Sequence, residues 1–233
     1  MPSTLPIRAV LFDLDDTLWP IVPVIMQAEQ TLFDWLRTHA PAVAQQHSIE
    51  SLRARRLALL AAEPRYHFDL IALRQFGLQE AFQASGADPV HVDTAMQVFN
   101  TARNAVTPYD DVIPSLLRLG GKVALGSISN GSADLEAIGM AAHFQISIAA
   151  RDFGSAKPDP AIFHAACSAL GVLPGHTVYV GDDPHLDVVG AQNAGLRAVW
   201  MNRFNRTLPA PIQADAVCTT LLELEHWLAD HIE

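Results

Sequence analysis

The apolar run IRAVLFD (7–13) has no alternating polar face, and it leads straight into the carboxylates Asp13, Asp15 and Asp16, with Thr17 beside them. A strand that is apolar on both sides belongs inside a parallel sheet covered by helices on both faces. Like charges crowded at the end of such a strand repel, and burying each costs on the order of several kcal/mol unless a cation compensates. The rest of the chain must therefore supply further buried strands, helices to cover them, and that cation.

Further strand-like runs recur: KVALGSIS (122–129), HFQISIAA (143–150), TVYVGD (177–182), LRAVWMN (196–202) and the weaker ADAVCTT (214–220). Helical patterns lie between them, over 111–119, 132–140, 159–171 and 184–195. The third has Pro160 in its first turn and Gly171 at its end, which are start and stop signals. Ser132 reads as a helix N-cap. Residues 200–211 read as a loop and 221–232 as an amphipathic terminal helix. Strand and helix alternate with short connections, which predicts an α/β fold with a Rossmann-like parallel sheet. Ligands of such sheets gather at the carboxyl ends of the strands.

One block breaks the alternation. Residues 20–106 contain no convincing strand, and the segments 24–40, 48–63, 69–85 and 92–106 all carry apolar residues at three- and four-residue spacing. The expected division is a core formed by 1–19 and 107–233, with an all-helical domain inserted over 20–106.

Half of the 233 residues are hydrophobic and 17% are charged, so the chain can bury a sizeable core and is not disordered. A formal net charge of −10 argues against nucleic-acid or anionic-membrane partners, which reward basic patches, although a local site can invert the global sign. Cys167 and Cys218 sit among apolar neighbours and read as buried thiols, with no metal-binding cysteine spacing. No secretory leader pattern and no membrane-spanning apolar run is present, so the expectation is a cytoplasmic protein, monomer or homodimer.

Placed on this scaffold, four strands deliver polar groups to one sheet edge: Asp13, Asp15 and Thr17; Ser129, Asn130 and Gly131; Lys157 ahead of a helix; and Gly181, Asp182 and Asp183 with Asp187 close behind. In order and spacing these resemble the four motifs of the haloacid dehalogenase superfamily of phosphohydrolases, namely DLDDT (13–17), SNG (129–131), the lysine of SAKPDP and GDDPHLD (181–187). The inserted helical block sits where that family carries its helical cap. The resemblance implies a Mg²⁺-dependent phosphatase acting on a small phosphorylated metabolite. Asp13 would be the nucleophile and form an aspartyl-phosphate. Asp15 would be the general acid and base. Lys157 would offset the charge of nucleophile and phosphate, while Ser129, Asn130, Gly131 and Thr17 would hold substrate. Mg²⁺ would take the Asp13 carboxylate, the Asp15 carbonyl and Asp182, with Asp187 or Asp183 in support.

The bland readings are specific too. Asp16 and Asp183 could simply bond their own loops or cap a helix; Trp19 could be packing, and His185 surface. Family membership leaves the reaction open. A dehalogenase is disfavoured because Asp15, the acid that an alkoxide leaving group needs, is present. A phosphomutase and a catalytically silent binding protein are the alternatives. DLDDTLW, the element Glu63, Pro64, Tyr66, His67 and Asp69, and GDDPHLDVVGA are similar to the branch of the family containing the ribitylaminouracil phosphate and FMN phosphatase of riboflavin synthesis. Tyr66, His67, Asp69 and Arg74 are the candidate specificity residues of the helical block, set against ordinary roles in packing and on solvated faces.

Overall fold

The computed structural model describes residues 5–232. Its strands are β1 (Ala9–Phe12), β2 (Ala124–Ser129), β3 (Ile146–Ala149), β4 (Thr177–Gly181), β5 (Arg197–Met201) and β6 (Ala216–Cys218). They form one sheet in the order β3-β2-β1-β4-β5-β6, and every neighbouring pair is parallel. β1 is central, with Val10 opposite Leu125 of β2 on one side and Val178 of β4 on the other. All four residues of β1 are fully buried, as its two-sided apolar character requires. This is the doubly wound strand order, and it reverses between β1 and β4. Each strand falls within a run that the sequence marks.

The chain divides into two units, one built from the residues up to Pro20, Thr107–Gly131 and those from Leu135 on, the other from Ile21–Val106 with Ser132–Asp134. The second is helical: α1 (Ile21–His39), α2 (Pro41–Gln46), α3 (Ile49–Ala62), α4 (Leu70–Ser85) and α5 (Val92–Arg103). Ala28, Leu32 and Leu36 repeat every four residues along α1 and pack with Leu78 and Phe82 of α4 and Phe99 of α5. Ser48 caps α3, and Asp69 caps α4, which stops at Gly86 in the left-handed region (φ 65°). Six-residue α2 and the 3₁₀ turn Pro64–His67 are too short to show periodicity in the sequence.

The sheet is covered by α6 (Val112–Gly120), α7 (Leu135–Ile138), α8 (Ala150–Phe153), α9 (Pro160–Ala169), α10 (Gly190–Asn193) and α11 (Leu221–Ala229). The helix expected over 132–140 shrinks to α7. Gly139, at φ 80°, ends it, and Ser132 is not its N-cap because the helix starts three residues later. Ser132 instead accepts a hydrogen bond from Arg103 Nε (3.3 Å), and the amide of Asp134 donates to Asn104 Oδ1 (3.1 Å). Those bonds explain why 132–134 group with the helical unit. The segment expected to be helical over 184–195 opens with a π-helical turn, Pro184–Val189, before α10. No helix among the described residues is long and apolar enough to cross a membrane. Both cysteines are buried and free.

Candidate active site

The carboxyl ends of β1 and β4 meet where the strand order reverses, the place where open α/β sheets hold ligands. Asp13 extends β1, its amide donating to Val180 O (2.9 Å). The chain then turns sharply: Leu18 N bonds Leu14 O (2.8 Å) and Asp16 N bonds Trp19 O (2.8 Å). Asp16 sits at φ 60°, a conformation that aspartate tolerates better than most residues. The turn places Asp15 beside Trp19, whose indole Nε1 donates to Asp15 Oδ1 at 2.8 Å while its ring is fully buried.

Lys157 is the cation that the opening motif demands. Its side chain is 3% exposed, and its ammonium donates to Asp13 Oδ1 (2.6 Å), Asp187 Oδ1 (2.8 Å) and the Tyr179 hydroxyl (2.7 Å). An ammonium has three hydrogens to donate, so all are used. Tyr179 in turn donates to Ile128 O (3.0 Å), and burial holds its phenol well above the ordinary range, so it stays neutral. The backbone of Lys157 is fixed by Asn130, whose Oδ1 accepts from Lys157 N and whose Nδ2 donates to Lys157 O, both at 2.9 Å.

Carboxylates outnumber that ammonium. Oxygens of Asp13, Asp182 and Asp187 all lie within 4.8 Å of one another. Burial pushes the Asp13 carboxyl well above the ordinary range against the pull of Lys157, and Asp187 adds repulsion. Burial works to lower Lys157, but Asp13 and Asp187 outweigh it and keep its pKa well above that of a free lysine. Burial likewise raises Asp182 to about 6, against Arg206 and with Asp187. Three hard oxygen donors with a net charge short of positive partners suit a dication such as Mg²⁺. A divalent ion there would restore the balance that Lys157 and, on Asp182, Arg206 leave incomplete.

Local backbone features bring Asp187 in. The π-turn is capped by Asp183, whose Oδ1 accepts from the amides of His185 and Leu186 (2.8 Å each). That use of Asp183 leaves Asp182 and Asp187 to the cluster, and Asp187 Oδ2 accepts from Asp183 N at 2.9 Å. A Cβ on Gly181 would fall 2.3 Å from Asp187 Cγ, so only glycine permits this approach. Arg206 donates to both Asp182 Oδ2 (2.8 Å) and Asp182 O (2.9 Å), and Trp200 Nε1 shares that carbonyl (2.7 Å). Asn202 clamps the Arg206 backbone, accepting from its amide (2.7 Å) and donating to its carbonyl (2.8 Å).

The remaining expected residues divide. Thr17 is fully buried and its hydroxyl donates to Asp13 Oδ2 (3.2 Å). Ser129 Oγ accepts from Gly131 N (2.9 Å). In the helical unit, Tyr66 is 3% exposed and packs with Leu59 and Leu73, Asp69 Oδ1 caps α4 through Ala72 N (2.9 Å), and His67 is exposed. Arg74 is turned inward, its guanidinium 3.4 Å from the centre of the Phe99 ring and 3.9 Å from buried Glu29. Burial, with Arg56 beside it, lowers Arg74 to about 9. Sequence reasoning missed Tyr179, Arg203 and Arg206. The alternation of a strand is the signal for Tyr179, because it shares a sheet face with Gly181 two residues on.

Comparisons with known proteins bear on the family of the chain as a whole. A family model described as haloacid dehalogenase-like hydrolase matches residues 7–195. The 5-amino-6-(5-phospho-D-ribitylamino)uracil phosphatase YigB of Escherichia coli (strain K12) is 30% identical over 206 residues, 87% of this chain and 86% of that protein. A glyceraldehyde 3-phosphate phosphatase of Methanopyrus kandleri is 34% identical over 211 residues, 84% of each. Among solved structures, a 2-haloacid dehalogenase from Pseudomonas syringae pv. Tomato DC3000 superposes with a TM-score of 0.89 at 37% identity, covering 96% of this chain and 98% of that one. A match of this extent in sequence and fold makes the chain a member of the haloacid dehalogenase-like hydrolase family.

Proposed function

We propose that the protein is a Mg²⁺-dependent phosphomonoester hydrolase that works through an aspartyl-phosphate on a small phosphorylated metabolite. The observation that carries this reading is the convergence of Asp13, Asp182 and Asp187 on one point, with Lys157 bonded to two of them. Asp13, Asp182 and Asp187 would hold the ion, with the Asp15 carbonyl in support. When bound, it would neutralise phosphoryl oxygens and align them for in-line attack. The core unit supplies the catalytic groups, and the helical unit of 21–106 acts as the cap.

The chain's own groups account for the proton and bond changes. A carboxylate oxygen of Asp13 attacks phosphorus, and the P–O bond to the leaving alkoxide breaks. Asp15, held by the Trp19 indole, gives its proton to that alkoxide and then takes one from water. The water oxygen attacks the aspartyl-phosphate, releasing inorganic phosphate and restoring the Asp13 carboxylate. Lys157 carries a fixed positive charge through both steps, and Asn130 fixes its backbone. Ser129 and the backbone around Gly131 stand at the same sheet edge for phosphoryl oxygens.

The relative at 37% identity named a 2-haloacid dehalogenase sets the competing reading, attack by Asp13 on a carbon bearing halogen. A halide leaves without a proton, so that reaction gives Asp15 and the Trp19 bond no work. The two curated relatives above are both named as phosphatases, which supports phosphate chemistry and makes ribitylaminouracil phosphate and glyceraldehyde 3-phosphate candidate substrates, with FMN a third from the resemblance of the sequence. The test is phosphate release from a panel of phosphomonoesters with and without Mg²⁺, beside halide release from 2-haloacids. Mg²⁺-dependent phosphate release that Asp13→Asn abolishes supports the reading. Halide release, or Mg²⁺ binding with no phosphate released from any ester, sinks it, the latter pointing to a phosphomutase or a silent binding protein.

A further inference from the structure

Three arginines of the helical unit surround one carboxylate. Glu29 of α1 is 4% exposed, with Arg53 and Arg56 of α3 and Arg74 of α4 around it. Two of the three take its oxygens. Arg53 donates to Oε2 through Nε (3.1 Å) and Nη2, and Arg56 donates to Oε1 through Nη2. Arg74 comes third. Its Nη1 stays 3.9 Å from Oε1, beyond hydrogen-bond reach, and is buried without an acceptor among the described residues. The Phe99 ring meets the face of that guanidinium, which offers nothing to the N–H groups in its plane.

The charges do not balance either. Glu50 attracts Arg53 from the exposed side, and Arg55 is paired with Glu80. Arg56 and Arg74, 14% and 12% exposed, are left with one carboxylate that Arg53 already shares. Burial and repulsion by Arg56 outweigh Glu29 and bring Arg74 down to about 9, as expected of an arginine short of counter-charge. Arg56, Arg74 and Glu29 line a small cavity with Leu32 and Leu52 in its wall, and no second carboxylate lines it among the described residues. Measured at the centres of water-sized spheres it has about 10 Å³, room for one small particle and none for a tetrahedral oxyanion. A cation would be repelled there. A water would occupy Nη1 and leave the surplus charge in place. A monatomic anion answers both the unpaired N–H and the charge.

We infer that the cavity between α1, α3 and α4 is a binding site for a small inorganic anion of the halide class, held by the guanidinium groups of Arg74 and Arg56. The site lies within the helical unit, contains no group of the candidate active site and does not rest on the phosphatase reading. Its occupant would tie the three helices together.

The test is the melting temperature of the full-length protein as chloride replaces gluconate at constant ionic strength. A ligand that binds only the folded state raises the melting temperature progressively with its concentration. The parent is expected to respond in that way. Arg74→Met removes the unpaired cation and is expected to weaken chloride binding at least about tenfold, which flattens the response. Glu29→Gln keeps the side-chain shape and removes the opposing negative charge, so it is expected to tighten binding at least about tenfold, the effect of deleting one like charge at short range in a partly buried site. Broadening of the ³⁵Cl⁻ resonance by the parent, reversed by bromide, reports binding directly and does not depend on either variant folding. A parent indifferent to chloride in both measurements, as a water-filled cavity would be, overturns the assignment. So does a chloride response that Arg74→Met retains in full, or one that Glu29→Gln weakens.

Discussion

Asp15 owes its position to a tryptophan that looks, in the sequence, like ordinary core. Trp19 is fully buried, and its one polar atom is bonded to the carboxylate proposed as general acid and base. Trp19→Phe keeps most of the apolar volume and deletes the N–H. Hydrogen bonds to charged groups contribute about 1.5–3 kcal/mol, so kcat is expected to fall by at least about tenfold while KM holds and the melting temperature drops little. Steady-state kinetics of the purified variant check this, and an unchanged kcat would reduce Trp19 to packing. Asp182 makes the converse case, a side chain whose charge burial disfavours even with Arg206 bonded to it. Its folded pKa of about 6 lies above the ordinary value of 3.8, so the folded state binds that proton more tightly than the unfolded state. The resulting stability is complete below about pH 4 and is lost as pH rises through about 6. In EDTA, Asp182→Asn is therefore expected to gain melting temperature relative to the parent as pH rises from 4 to 7. Added Mg²⁺ should reverse the order at pH 7, because it stabilises only the protein that keeps the ligand. Melts of both proteins across that range, with and without Mg²⁺, decide the matter.

At the scale of elements, the site depends on how loops leave the sheet. β4 ends in Gly181, and the π-turn that follows folds Asp187 back over it. π-turns collect at functional sites because they redirect a side chain within one turn. Gly181→Ala would put a methyl 2.3 Å from Asp187 Cγ, in the side chain of a buried carboxylate whose oxygens are already bonded to Lys157 and to Asp183 N and which cannot yield cheaply. The expected cost is about 1–3 kcal/mol from overpacking, with Mg²⁺ affinity falling by more than tenfold because Asp187 is displaced. Chemical denaturation and calorimetric Mg²⁺ titration report the two effects separately. The loop after β5 is a second such device. Arg203 is nearly buried and donates through Nη1 to both oxygens of Asp111 (2.9 Å each), and through Nε to Thr17 O (3.1 Å). Asp111 also accepts from Leu221 N, so one ion pair joins the loop after β1, the start of α6 and the start of α11. Arg203→Met leaves Asp111 without its cation and is expected to cost about 3 kcal/mol, the usual result of breaking a buried pair from one side. Equilibrium denaturation measures it.

At the scale of the whole molecule, what was legible in the sequence was what local pattern controls. IRAVLFD could only be an inner strand, and the carboxylates at its end could only persist beside a cation, so Asp13 and Lys157 stood out although 144 residues separate them. The helical block showed itself through four-residue spacing such as Ala28, Leu32 and Leu36. Tyr179, Arg203 and Arg206 did not show, because a tyrosine inside TVYVG and arginines in a loop gain meaning only from partners distant in sequence. Ser132 misled for the same reason: its partner is Arg103, and no local pattern reveals that bond. Arg74 likewise looked available to a ligand, while burial over Phe99 was decided by how α4 and α5 pack. The architecture also makes a prediction of its own. The helical insertion of 21–106 leaves and rejoins the core unit at neighbouring points, since Tyr109 N donates to Leu18 O at 3.0 Å. The six strands, Asp13, Lys157, Asp182 and Asp187 all belong to that unit. Closing such a gap with a short flexible linker adds little chain entropy, because closure cost grows only with the logarithm of loop length. A chain with 21–106 replaced by a short Gly-Ser linker is therefore expected to melt cooperatively and to bind Mg²⁺ through the same three carboxylates. Asp182→Asn in that shortened chain should remove the binding. Loss of a cooperative melt would show that the sheet needs the helical unit in order to fold. A folded product without Mg²⁺ affinity would show that those three carboxylates do not suffice to hold the ion.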